Sequence, residues 1–375
     1  MTKLTSALDL TRELIRFDTI NPPGNERLCA QYLGHILSDA GFSVSYHDFA
    51  EDRTSLIART GSGDKPPLCF TGHIDTVPLG ATTWSKDPFA ANVEGDRLYG
   101  RGSSDMKSGV AAFVFAVVEL MPQLSDTPGV VLVITAGEET GCEGAFQLVT
   151  LGDALGKAGA IVVAEPSANY PLVGHKGALW LKARSHGVTA HGSMPDIGVN
   201  AVYKAAHAIT KLENFDFNVA RHEVLGKPTL SVGTVEGGMN INSVPDQAEV
   251  GIDIRTIPGQ NHNDVREGLQ GYLGEGVEMD TLVDVDAIWT NPHEVWVREV
   301  FAIMAPILDE EIETRTATYF TDAAALTPAY GGPPTVILGP GEPKMAHQTD
   351  EYCVINRIDQ AVFAYTELTR SWCGF

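Results

Sequence analysis

The sequence predicts an α/β protein, a mixed sheet covered by helices, with an α+β domain inserted in its second half. Two observations carry this expectation. Through about Pro171, short β-branched apolar runs alternate with helical patterns, and beyond Gly174 the runs change to a period of two. Apolar runs without a polar face read as strands buried on both sides, as in sheets covered by helices. Strict alternation marks a sheet with one face in water.

The elements follow in order. Residues 1–20 read as an amphipathic helix with Leu4, Leu8, Thr11 and Ile15 on one side. Pro67-Leu68-Cys69-Phe70, Val130-Val131-Leu132-Val133-Ile134, Ile161-Val162-Val163-Ala164 and Thr335-Val336-Ile337-Leu338 are the buried strands, with Leu98-Tyr99 a weaker fifth. Met106 to Met121 is apolar nearly all round and reads as a buried helix. In the insertion, Ala178 to Ala183 and Glu249 to Arg255 alternate, while Asn200 to Leu212 and Asp264 to Leu273 have helical spacing. The result is a compact βαββαβ-like unit. From about Asn291 helix and buried strand return, so residues 1–174 and 291–375 are expected to form one domain and residues 175–290 another.

Composition narrows the function. At 375 residues the chain is too long for one comfortable core, and its 43% hydrophobic and 20% charged content is ordinary for a globular protein. The net charge of −22 argues against nucleic acid or an anionic membrane surface as partner. No signal peptide is visible, and no stretch reads as long enough to span a bilayer. Cys29, Cys69, Cys142, Cys353 and Cys373 are odd in number and without CxxC spacing, which reads as reduced thiols in a cytoplasmic protein.

The apolar runs lead into His73, Asp75, Asp105, Glu138, Glu139, Glu165 and His347. In open α/β sheets ligands collect at the carboxyl ends of the strands, so these seven residues are expected to face one crevice. Taken singly, each has a plain reading: a loop histidine, an N-cap for Asp105, a solvated acidic turn for Glu138-Glu139. Together they are the inventory of a two-metal hydrolytic site. In His73-Ile74-Asp75 one side chain is able to bind metal while the other braces it through the second ring nitrogen. Adjacent carboxylates in an apolar setting repel unless cations neutralise them, and neighbours are able to divide the labour of ligand and general base. Mixed nitrogen and oxygen donors suit zinc, with cobalt or manganese as substitutes. Gly102-Ser103-Ser104 is not a nucleophile elbow, and Arg101, Lys107 and Lys176 are too few cations for a phosphoesterase.

The strings GHIDTVP (72–78), YGRGSSDMKSG (99–109), AGEETG (136–141), AEPS (164–167), AHGSMPDIGVNA (190–201) and AHQTDEY (346–352) resemble the di-zinc family of acetylornithine deacetylase, succinyl-diaminopimelate desuccinylase and glutamate carboxypeptidase. The resemblance covers the whole chain. It implies His73 and Glu165 on one zinc, Glu139 and His347 on the other, Asp105 bridging, Asp75 bracing His73 and Glu138 as base. It further implies a zinc-peptidase-like catalytic domain, a ferredoxin-like lid used for homodimerisation, and a cis peptide at Asp105-Met106. From the lid, His191 would steady the oxyanion, Arg255 would take a substrate carboxylate and Asn242 would hydrogen-bond the substrate. The segment Thr321-Asp322-Ala323-Ala324-Ala325, with Thr321 as a further substrate-binding position, looks more like the acetylornithine deacetylase branch than the desuccinylase branch. The expected activity is hydrolysis of an N-acyl amino acid amide. Its rivals are desuccinylation, dipeptide or carboxyl-terminal peptide hydrolysis, and a non-catalytic metal-dependent binding protein.

Overall fold

A computed structural model describes residues 5–375. Its main strands in chain order are β1 (Ser43–Ala50), β2 (Arg53–Arg59), β3 (Leu68–His73), β4 (Val130–Thr135), β5 (Ala160–Val163), β6 (Gly177–His186), β7 (Thr229–Gly237), β8 (Gln247–Thr256), β9 (Val277–Val285) and β10 (Thr335–Ile337). The helices are α1 (Ala7–Ile15), α2 (Arg27–Ala40), α3 (Lys107–Leu124), α4 (Glu143–Thr150), α5 (Ala201–Glu213), α6 (His262–Leu273), α7 (Val295–Leu308), α8 (Ala323–Ala329) and α9 (Ile355–Cys373). The chain divides into two compact units. One holds the residues up to Gly174 with Trp289–Ala317 and Thr321–Phe375; the other holds His175–Ile288 with Thr318–Phe320.

The first unit is built on a mixed sheet of order β1-β2-β4-β3-β5-β10. β1, β2 and β4 pair antiparallel, whereas β4, β3, β5 and β10 run parallel. Burial explains why the parallel strands lack polar alternation: every residue of β3, β4, β5 and β10 is buried. On one face Phe70, Leu132 and Val162 pack with Val110, Phe113 and Val117 of α3 and with Ile358 and Tyr365 of α9. Phe70 stacks on Phe113 at 5.9 Å and meets Tyr365 edge-on at 5.3 Å. On the other face α4 and α8 pack together and against β2 and β5. Gly109 lets α3 approach β5, since a Cβ there would lie 2.2 Å from the Ala164 carbonyl oxygen.

Several details differ from the sequence expectation. α1 buries Ala7, Leu10, Thr11, Leu14 and Ile15, with Leu8 half-buried; Leu4 lies outside the described residues. Arg97–Tyr99 is not part of the main sheet. It pairs with Asn92–Glu94 and with Tyr352–Val354, because its Leu98 is the only fully buried residue of the run. The expectation that no stretch is long enough to span a bilayer also needs correcting. α3 is long and apolar enough, yet it is the central core helix, with two-thirds of its residues inside the protein.

In the second unit β6, β7, β8 and β9 form an antiparallel sheet of order β7-β8-β6-β9. Numbered by sequence that order is 2-3-1-4, which with α5 and α6 gives the ferredoxin-like βαββαβ arrangement. β6 and β8 alternate between buried and partly exposed residues. Their buried face, Leu179, Leu181, Ala183, Val250, Ile252 and Ile254, packs on Ala205, Ala208 and Leu212 of α5 and on Leu269 of α6.

Candidate metal centre

Because β3, β4, β5 and β10 are parallel, their carboxyl ends lie along one edge of the sheet. His73 is the last residue of β3 and pairs in register with Thr135, the last of β4. Gly137, at φ 74°, supplies the left-handed turn that delivers Glu138 and Glu139 just beyond it. Glu165 follows β5 by two residues, and His347 lies in the loop after β10, itself at φ 63°.

The structure brings all seven expected residues of this unit together. His73 Nε2 lies 3.2 Å from Asp105 Oδ1, 3.8 Å from Glu165 Oε1 and 3.9 Å from Glu138 Oε2. His347 Nε2 lies 3.4 Å from Asp105 Oδ2 and 3.1 Å from Glu139 Oε2. Asp105 thus turns one oxygen to each histidine. It does not cap α3, whose N-cap is Met106 with no side-chain cap bond, so the capping alternative is set aside. The Asp105–Met106 peptide is cis, as the resemblance implies.

Asp75 is the hub beneath these groups. Its backbone carbonyl lies at hydrogen-bond distance, 3.0 Å, from His73 Nδ1, with its carboxylate 3.3 Å from the same nitrogen. The carboxylate accepts hydrogen bonds from the backbone N–H groups of Glu138 (3.1 Å) and Glu139 (3.2 Å) and from the Asn21 amide (2.9 Å). One fully buried residue therefore sets the direction of a ring through its carbonyl and carboxylate, and the position of two further acids through its carboxylate.

Two donor groups satisfy the spacing for a cation each: His73, Asp105 and Glu165, and Asp105, Glu139 and His347, with the donor atoms of each group within 4.8 Å of one another. The electrostatics fit the same occupant. Burial, then the nearby Glu165, pushes Glu138 well above the usual carboxylate range, and burial does the same to Glu165. Burial disfavours charge on His73, but Glu165, Asp105 and Asp75 outweigh it and raise the ring well above its ordinary value. His347 is lifted to about 10 by Asp105 and Glu139. Among the described residues Glu139 Oε1 is buried without a hydrogen-bond partner, a carboxyl oxygen that a cation would satisfy. A third cluster, His262, Asp284 and Asp286 in the second unit, already contains its own cation, because Arg266 bonds Asp284 at 2.5 Å.

The remaining expected residues have other settings. Thr321 is fully buried, and its hydroxyl accepts the Ala323 N–H at the start of α8. His191, Asn242 and Arg255 belong to the second unit. There Ala190–His191 pairs with Ser243–Val244, and Gly192 N–H donates to the Asn242 carbonyl at 2.7 Å, which makes His191 and Asn242 neighbours. Arg255 pairs with Asp253 at 2.9 Å and faces the Trp180 ring.

Sequence reasoning missed Asn21, Arg101, Asp322 and Glu351. Asp322 bonds Thr135 in the buried interior, and burial lifts it to about 6. Asn21 stands in a Pro-Gly-rich turn and Arg101 among glycines, so only the fold reveals their partners. Glu351 lies inside the AHQTDEY string, yet as an isolated acid it resembles a solvated one.

Among curated relatives, an acetylornithine deacetylase of Vibrio cholerae serotype O1 is 30% identical over 364 residues, covering 93% of this chain and 92% of that one. A probable succinyl-diaminopimelate desuccinylase of Staphylococcus aureus is 26% identical over 380 residues, covering 92% of this chain and 94% of that one. Among solved structures, an M20 family metallo-carboxypeptidase of Sulfolobus solfataricus superposes with a TM-score of 0.83 at 19% identity, covering 99% of this chain and all of that one. Residues 69–371 match the family described as Peptidase family M20/M25/M40, and the chain belongs to that family.

Proposed function

We propose that this chain hydrolyses the amide bond of an N-acyl amino acid, as an acetylornithine deacetylase-like enzyme, at two zinc ions held by His73, Asp105, Glu165, Glu139 and His347. The observation that carries the reading is Asp105, with one oxygen toward each histidine, and the buried Glu138 beside it. The mixed imidazole and carboxylate donors suit zinc, with cobalt or manganese as substitutes. When bound, the cation pair supplies Lewis acidity, lowering the pKa of water and polarising the amide carbonyl.

The chain's own residues supply the rest. Glu138 takes the proton of the attacking water and returns it to the leaving nitrogen, so that amide and water become carboxylate and amine. Asp75 fixes the tautomer of His73 by holding Nδ1 while Nε2 faces the donors. His191 is proposed to support the oxyanion, with Arg255 anchoring the substrate carboxylate by its planar fork and Asn242 adding a hydrogen bond. A succinyl-diaminopimelate desuccinylase, dipeptidase or carboxypeptidase would use the same centre. The test is a panel of N-acetylornithine, other N-acetyl amino acids, N-succinyl-diaminopimelate and dipeptides, given to metal-stripped protein restored with zinc. Zinc-dependent turnover of an N-acetyl amino acid is expected; turnover of dipeptides alone would move the assignment to peptide hydrolysis, and silence with two metals bound would refute it.

A cytoplasmic setting is part of the same proposal, supported by five free cysteines, four of them buried. So is a homodimer through the second unit. There β7 is an edge strand, Met239 and Ile241 are 93% and 104% exposed, and Tyr203 and Val235 are exposed as well. Light scattering should give twice the 40.2 kDa chain mass, and Met239→Glu with Ile241→Glu should yield monomer. A monomeric parent protein at micromolar concentration would overturn the dimer.

A further inference from the structure

We infer that Arg101 and Glu351 are a positioning pair that sets Asp105 and His347 at the distance two cations require, an inference that rests on the metal-centre reading above. Arg101 is 1% exposed and Glu351 0%, and their Nη1 and Oε2 atoms meet at 2.7 Å. Glu351 also accepts the backbone N–H groups of Gly102 (2.9 Å), Ser104 (2.8 Å) and Asp105 (3.0 Å). Arg101 donates onward to the carbonyls of Pro78 (3.1 Å) and Gln348 (3.4 Å). One ion pair thus ties together the segment after His73 and Asp75, the loop that ends in Asp105, and the loop that carries His347.

Stability alone does not account for such a pair. The cost of desolvating two charges largely offsets their attraction, so apolar replacements often hold a fold as well. What apolar side chains do not reproduce is the bond pattern. The Glu351 carboxylate is an acceptor for three backbone N–H groups at once, the last of them on Asp105 itself. The Arg101 fork spans a carboxylate and two carbonyls from different loops. Groups that hold metal ligands from behind change cation affinity when they are altered, commonly by roughly ten- to a hundredfold. Glutamine at 351 keeps the volume but presents an NH₂ toward these donors, which frees the 100–105 loop without emptying the site.

The experiment titrates metal-stripped protein with Co²⁺, following calorimetry, the visible spectrum and the electron paramagnetic resonance signal. The parent protein is expected to take two Co²⁺ ions and to give a spin-coupled signal through Asp105. Glu351→Gln, its circular dichroism unchanged, is expected to bind the second Co²⁺ roughly tenfold to a hundredfold more weakly and to give the signal of an isolated ion. Its kcat should fall with KM little changed. Arg101→Lys, which keeps the charge and loses the fork, should fall between the two, and it decides the matter by the same readings if Glu351→Gln does not fold. Either folded variant binding two Co²⁺ with parental affinity and a coupled signal overturns the inference. A parent protein that binds fewer than two overturns the metal-centre reading instead.

Discussion

Replacing Glu138 with glutamine is expected to leave both cations bound and the fold intact while kcat falls by about 10²–10⁴, the usual share of a positioned general base. The prediction separates chemistry from assembly. Glu138 is not in either donor group described above, and its bonds to the scaffold are the backbone N–H donated to Asp75, the carbonyl that accepts from Gly141 and Cys142, and Oε1 beside the Cys142 thiol, each of which glutamine is able to keep. What glutamine lacks is a site for the proton. Metal content measured by mass spectrometry, with kcat and KM on the best substrate of the panel, checks the result; activity within tenfold of the parent would remove Glu138 from the base role. Glu139→Gln should behave differently, because Glu139 Oε2 faces His347 and its other oxygen is buried without a partner, so that variant is expected to lose metal first.

That two neighbouring glutamates are able to divide ligand and base is legible in the amino-acid sequence, while the proposal of which does which rests on the resemblance; the gathering of the seven residues is legible as well. A run such as Val130–Ile134 can end at only one edge of a parallel sheet, so the acids that follow such runs must gather there. Asp105 is harder to read. Its position before a helix predicts a cap as readily as a bridge, and only the facing histidines distinguish the two. Arg101 and Glu351 are not legible at all, since 250 residues separate them and each alone resembles a surface charge. Their partnership depends on Arg97–Tyr99 leaving the main sheet to pair with Tyr352–Val354, a choice made by tertiary packing that local periodicity does not encode. Thr321 is a different case: its place comes from likeness to a branch of relatives, and the fold adds that it is buried with its hydroxyl at the start of α8.

Removing the metals should change not only activity but also the direction in which stability depends on pH. In the metal-free protein His347 is raised to about 10 by Asp105 and Glu139, and His73 is raised as well, so both rings carry protons at neutral pH in place of cations. Burial likewise raises Glu138, Glu139 and Glu165, which then hold protons more tightly folded than unfolded. A group with a raised folded pKa contributes stability that is present below its unfolded pKa and lost as pH rises through the folded one. The stripped protein should therefore lose stability from weakly acidic pH upward, over a range that ends near the His347 value of about 10. With cations bound the sign reverses. The liganding histidines are neutral and the carboxylates ionised, so the folded state holds fewer protons than the unfolded chain and gains stability as pH rises from acid toward neutrality. At free zinc about a thousandfold above Kd, one site adds about 4 kcal/mol, on the order of 10 °C in Tm for a unit of this size. Thermal melts with zinc and with chelator at pH 5.5, 7 and 8.5 should show a gap that widens with pH. A chelated protein that melts with the zinc-loaded one at every pH would mean that no cation is held by these residues, and the buried carboxylates would need another source of neutralisation.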